Sequence, residues 1–177
     1  MSDLRRFANI PLKWSQPKGS RRFHQLAADQ AVIGSIQFEK GWGSLATGEC
    51  GEGRWTFKRA GFFSPRVTVR QAGSENDIAI FAPRWSGAGT LEFASGGRFQ
   101  LRCQNFWGTE WAFENEQGMA AVNLRGPRGF VKQGGESVIT KVGAELPEAP
   151  VLLLLLWYVR LLMNEDASAA AVIATSG

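Results

Sequence analysis

A chain of 177 residues with 44% hydrophobic content suits one compact domain. Its 20% charged residues and mean hydropathy of −0.15 exclude an intrinsically disordered chain and a multispan membrane protein. The net charge of +4 is uneven: residues 1–28 hold Arg5, Arg6, Lys13, Lys18, Arg21 and Arg22 against Asp3 alone, and the remainder is close to neutral.

The opening MSDLRRFANIPLKW has no apolar run of the kind a secretory signal requires, so a cytoplasmic protein is expected. Residues 1–21 read as a basic arm, able to touch an anionic membrane or simply solvated, as short basic termini often are. The body has no basic excess, and nucleic acid is not an expected partner. Cys50 and Cys103 are far apart with no CxxC spacing, and His24 is the one histidine. That inventory predicts reduced thiols, no metal and no cofactor.

From residue 31 to 142 apolar positions recur with period two, as half-buried strands require. Trp55 and Phe57 share a face in 54–59, Val67 and Val69 in 66–70, Ile78 and Ile80 in 77–81, and Leu91 and Phe93 in 90–94. Phe99, Leu101 and Cys103 follow in 98–103, Trp111 and Phe113 in 110–115, Val122 and Leu124 in 120–125. Less regular strands are predicted at 31–38, 44–49 and 137–142. Gly, Asn and Ser stand between them, and 21 glycines fit many tight turns. The fold class is mainly β: a closed antiparallel barrel of about ten to twelve strands, because closure removes exposed sheet edges.

The run VLLLLLWYVRLLM, residues 151–163, is apolar on every side. As a helix it spans roughly 20 Å against a hydrocarbon core of roughly 30 Å. Arg160 interrupts it, and Asn164, Glu165 and Asp166 end it. A helix of that kind is surrounded by protein, and a barrel of ten or more strands needs something inside. The reading is therefore a central helix over 147–164, started by Pro147 and Pro150, within a barrel domain of residues 22–165. A flexible small-residue tail covers 166–177. Arg160, near the helix end, is expected to reach a barrel mouth.

GRWTFKRAGFFSPRVTVR (53–70), NFWGTEWAFENEQGMAAV (105–122) and LPEAPVLLLLLWYVRLLM (146–163), in that order, resemble the tubby C-terminal-like superfamily, which includes tubby proteins, LURP-one-related proteins and phospholipid scramblases. The match is one of pattern and order over residues 22–165, nearest to uncharacterised bacterial members. It implies a barrel threaded by its C-terminal helix. It carries over no phosphoinositide motif, no palmitoylation cysteines and no calcium-binding segment.

Among candidate site residues, Arg54, Lys58, Arg66 and Arg70 fall on two consecutive strands whose pairing puts them on one outer face. With Arg21 and Arg22 they form the predicted contact to an anionic partner; the ordinary alternative is a solvated β face balanced by Glu92 and Glu110. Trp14, Trp42, Trp85 and Trp107 lie in predicted turns, where they form an aromatic platform or plug the barrel ends. His24, which any triad would need, falls in the basic arm rather than among the strands, and no P-loop, HExxH or GxSxG stretch occurs. The expectation is a non-enzymatic domain that binds an anionic phospholipid or a protein partner through its outer surface, with possible association to a membrane. The alternatives are an open-barrel enzyme or small-ligand carrier, a carbohydrate-binding sandwich, or a protein tail-anchored by the C-terminal helix.

Overall fold

The computed structural model describes residues 3–20, 22–39, 43–61, 63–84, 86–126 and 134–175. Its strands are β1 (Leu12–Ser15), β2 (Phe23–Ala28), β3 (Ala31–Phe38), β4 (Ala46–Cys50), β5 (Gly53–Ala60) and β6 (Arg66–Gln71), then β7 (Asp77–Pro83), β8 (Gly89–Phe93), β9 (Arg98–Cys103), β10 (Glu110–Glu114), β11 (Ala120–Arg125) and β12 (Gly134–Ile139). Each strand pairs antiparallel with its chain neighbour. β1 also pairs with β12, Leu12 opposite Ser137 and Ser15 opposite Gly134, so the twelve strands close into an up-and-down barrel.

The barrel begins earlier than the sequence pattern suggests. Residues 12–15 are not part of a free arm: Leu12 and Trp14 are buried while Lys13 and Ser15 face out, and this short strand is the stave that closes the sheet. β2 also lies outside the predicted strands, because FHQLAA carries its inward face on His24, Leu26 and Ala28, and a histidine breaks the apolar alternation. β7 turns inward the face opposite to the one its sequence predicts. Ala79 and Phe81 are buried rather than Ile78 and Ile80, since Ala79 lies opposite Val69 and Phe81 opposite Val67, and paired residues share a face. With four apolar residues in a row, only the pairing decides. Cys103, at the end of β9, is exposed, unlike Phe99 and Leu101 on the same strand.

After β12 a short helix, α1 (Lys141–Ala144), is capped by Thr140, whose hydroxyl accepts from Gly143 N at 3.0 Å. The long helix α2 (Ala149–Thr175) follows. Every residue from 149 to 159 is buried. Successive helical residues point about 100° apart, so burial of that whole run means protein on all sides. The contacts agree: Leu154 approaches Gly48 of β4, Trp157 approaches Gly135 of β12, and Trp157 stacks on Trp14 of β1. The helix thus fills the barrel. Each buried leucine contributes on the order of 1.5–3 kcal/mol, which makes the helix part of the core rather than an addition to it.

The helix starts at Ala149 instead of 147 and continues well past 164, as an exposed extension through the segment expected to be a flexible tail. Alanine and serine at 167–171 favour or tolerate helix, so nothing in that stretch stops it. No helix among the described residues is long and apolar enough to cross a membrane.

Candidate functional site: the mouth where the helix leaves

In an up-and-down barrel alternate connections share an end. The connections after β1, β3, β5, β7, β9 and β11 surround the point where α2 leaves the barrel; those after the even strands surround α1, with the 3-10 turn at Leu4–Phe7. Contacts confirm the polarity: Tyr158 donates its hydroxyl proton to Ser44 O, and Met163 reaches Gly87, at the exit, whereas Glu148 lies by Gly97 at the opposite end.

The two mouths differ in charge. Among the described residues, connections at the α1 end carry Asp3, Asp29, Glu52, Glu75, Glu116, Glu145 and Glu148 against Arg5, Arg6 and Lys141. Connections at the exit carry Lys18, Arg22 and Arg84 against Glu39 among the described residues, and Arg59, Arg66, Arg125 and Arg160 stand at or near the adjoining strand ends and the emerging helix together with Glu110, Glu165 and Asp166. Among the described residues the most exposed large aromatic side chains also stand there: Phe63 and Phe106 at 94% and Trp107 at 70% exposure. Phe106 and Trp107 meet edge to face, centroids 5.5 Å apart.

The helix is moored as it leaves. Arg59 Nη1 donates to Asp166 Oδ2 at 2.6 Å, which raises the guanidinium pKa, and Arg22 pairs with Glu165 at 3.3 Å while its guanidinium lies 4.4 Å above the Phe38 ring. Beside the Arg59 pair opens a cleft of about 730 Å³, between the 61–65 and 84–88 connections and residues 159–166 of the helix. Val67, Phe81, Val159, Leu162 and Met163 supply its apolar lining; Arg59, Arg66 and Arg84 line it too.

Of the predicted contact residues, Arg54, Lys58, Arg66 and Arg70 do share an outer face. Lys58 lies opposite Thr68, Arg70 opposite Thr56 and Arg66 opposite Ala60. They do not act as one free patch. Arg54 pairs with Glu49 at 3.8 Å and Arg70 with Asp77 at 2.6 Å, in the half toward the α1 mouth; Lys58 and Arg66, in the exit half, have no ion pair among the described residues. The acids expected to balance this face serve elsewhere, Glu92 with Arg98 and Glu110 with Arg125. Arg22 belongs to the helix mooring, and Arg21 lies outside the described residues.

The tryptophans divide similarly. Trp14 is no turn residue: it is 3% exposed and donates from Nε1 to Ser137 Oγ at 3.0 Å. Trp107 stands out at the exit mouth, and Trp42 and Trp85 lie outside the described residues. His24 sits in β2, inside the barrel, edge-on to Trp157 at 5.8 Å, and burial pushes its imidazole down to about 4. Burial likewise raises the Cys50 thiol and the Tyr158 hydroxyl to about 12, so these three groups are neutral and walled off from solute. Arg160 is half-buried at the exit mouth against Gly126, its pKa lowered by that burial, with no ion pair among the described residues. Among the described residues no cluster of His, Cys, Asp or Glu side chains is placed to hold a metal ion.

Fold and site together define a class: a closed twelve-stranded antiparallel barrel with its own C-terminal helix as its core and one basic, aromatic mouth. No family model, no curated protein and no solved structure matches the chain.

Proposed function

We propose that the protein is a binding domain that docks on anionic phospholipid surfaces with the helix-exit mouth. One observation carries the reading: Phe63, Phe106 and Trp107, the most exposed large aromatic side chains among the described residues, stand on connections of the same mouth that holds the excess of arginine and lysine. Aromatic rings favour the membrane interface, and each basic residue near an anionic leaflet contributes about 1 kcal/mol. The acidic α1 mouth would be repelled from the same surface, which fixes the orientation.

The helix extension adds to this. Asn164, Glu165, Asp166 and Ser168 make residues 164–168 mostly polar over roughly 7 Å, about one headgroup layer, and the alanine-rich stretch beyond them contains Val172 and Ile173. That end fits a shallow apolar insertion. The basic arm is not the anchor in this reading, because Arg5 and Arg6 belong to the opposite mouth. Membership of the tubby C-terminal-like superfamily is part of the proposal and is supported by architecture, a barrel around a C-terminal helix.

The test is co-sedimentation with phosphatidylcholine vesicles with and without phosphatidylserine, at low and at ~0.5 M salt. Binding is expected to the anionic vesicles only, to weaken at high salt, and to fall in the Phe106→Ala/Trp107→Ala variant. Equal binding to both vesicle types, or none, overturns the reading, and the second outcome would favour a protein partner at this mouth.

A further inference from the structure

We infer that Arg160, with the 104–109 connection beside it, forms a site for the phosphate of one anionic lipid headgroup at the helix-exit mouth. The inference deepens the docking reading and rests on it, since it names the residue that holds a single lipid of the docked surface. Arg160 is the one charged residue in the apolar run 151–163, and it is half-buried. Its guanidinium makes no hydrogen bond and no ion pair among the described residues. The ionisable group that acts on it there is the Cys103 thiol rather than a carboxylate. A fork of five donors is thus partly desolvated with nothing to satisfy it, an expense that a bound anion would offset. The fork can still be reached: its nitrogens keep contact with solvent, unlike His24 Nδ1 and Trp157 Nε1, which are sealed inside the barrel without a partner.

The surroundings fit a headgroup. A Cβ at Gly126 would stand 3.7 Å from Arg160 Nε and 3.9 Å from Nη2, so the glycine keeps a side chain off the fork. Gly126 N donates to Thr109 O at 2.7 Å, which sets the guanidinium beside the connection that carries Phe106 and Trp107. That connection is braced from within. Asn105 Oδ1 accepts from Thr109 N at 3.0 Å and from Glu110 N at 3.2 Å, Asn105 Nδ2 donates to Thr109 Oγ1 at 2.8 Å, and Trp111 Nε1 donates to Gly108 O at 2.9 Å. The two exposed rings are therefore held on a fixed turn, and little ordering entropy opposes their contact with a lipid. Glu110, the acid next to this turn, is already matched by Arg125 at 3.0 Å. Phosphate oxygens complement the planar fork in pairs, and the rings favour the glycerol and ester level of a lipid that the phosphate carries with it. A free phosphate would gain the fork alone.

Titration of the full chain without vesicles tests this, using dihexanoylphosphatidic acid, dihexanoylphosphatidylcholine and inorganic phosphate, the lipids below their aggregation limit. NMR follows the Arg160 Nε–H signal, assigned by its loss in Arg160→Met, and calorimetry compares the variants. A saturable shift of that signal is expected with the phosphatidic acid, whose affinity should exceed by roughly tenfold that of inorganic phosphate and of the phosphatidylcholine, whose phosphate is balanced by its own choline. Arg160→Met should weaken phosphatidic acid binding about tenfold or more, and Arg160→Lys, which keeps the charge and the fold but not the fork, should lose most of the same affinity. Lys141→Met, which removes one charge at the opposite mouth, should change nothing. Phe106→Ala/Trp107→Ala should bring phosphatidic acid down to the level of inorganic phosphate. An unmoved Arg160 signal, equal affinity for inorganic phosphate, or unchanged affinity in Arg160→Lys overturns the inference. The vesicle experiment fails or succeeds separately: saturable phosphatidic acid binding without vesicle binding would sink surface docking and leave the headgroup site, and vesicle binding without phosphatidic acid binding would do the reverse.

Discussion

Trp157 of the central helix lies flat on Trp14 of β1, with ring centroids 5.1 Å apart and planes within 3°. The strand that closes the barrel is thus tied to the helix that fills it. Trp14 also donates its indole proton to Ser137 on β12, so one residue touches both sides of the seam and the core. Trp157→Ala is expected to cost about 3–5 kcal/mol by chemical denaturation. A double-mutant cycle with Trp14→Ala should return a coupling of roughly 0.5–1.5 kcal/mol for the stack. A coupling near zero would mean that the contact is incidental.

Gly48 and Gly135 make room for the helix. A Cβ at Gly48 would stand 2.7 Å from Phe57 Cε2 and 3.3 Å from Leu154 Cδ1; at Gly135 it would stand 2.7 Å from Trp157 Cζ3. Both are strand positions where valine would otherwise be favoured. Gly48→Val and Gly135→Val are nonetheless expected to destabilise by about 1–3 kcal/mol, because the overpacked ring and helix must shift. Thermal or chemical unfolding that moved upward would contradict a helix seated inside the barrel.

His24 makes stability depend on pH. Burial holds its pKa at about 4 in the folded chain against an ordinary 6.5, so between these values the unfolded state binds the extra proton. Stability is therefore full above the unfolded pKa and is lost as pH falls from about 6.5 to about 4, by roughly 3 kcal/mol. His24→Leu removes this contribution. Denaturation of the two proteins across that range should show the variant gaining on the parent as pH falls, and parallel curves would refute the assignment.

Arg160 is half-buried without an ion pair among the described residues, and its desolvation opposes whatever its stem gains by packing. Arg160→Met keeps the stem and removes the charge, so the expected change is within about 1 kcal/mol of zero. A loss of several kcal/mol would reveal a strong partner for the guanidinium.

Ending the chain after Asp166 removes only exposed helix and keeps both moorings, Arg22 to Glu165 and Arg59 to Asp166. The truncated protein should unfold within about 1 kcal/mol of the full chain, since exposed surface residues contribute little. Its retention on anionic vesicles at high salt should fall, because the apolar end is gone. If the truncation weakened folding by several kcal/mol, the extension would have to pack on the barrel.

Much of the architecture is legible in the residues because it depends on local period. Alternation in RVTVR or RFQLRC specifies a strand with one buried face, and glycine-rich punctuation specifies the turns. The run at 151–163, too short to span a bilayer and apolar all round, implies a helix enclosed by protein, and only a wide barrel in this chain could enclose it. Where local signals conflict or are equal on both faces, pairing across the sheet decides. It sets Ala79 and Phe81 rather than Ile78 and Ile80 inward, recruits residues 12–15 as the closing strand, and buries His24 against Trp157. The candidate site depends on tertiary structure almost entirely. Phe63, Arg84, Phe106, Trp107 and Met163 are scattered along the chain, and each reads alone as an ordinary loop or helix residue. Only the up-and-down closure, which sends every second connection to the end where the helix leaves, gathers them at one mouth and gives that mouth its charge.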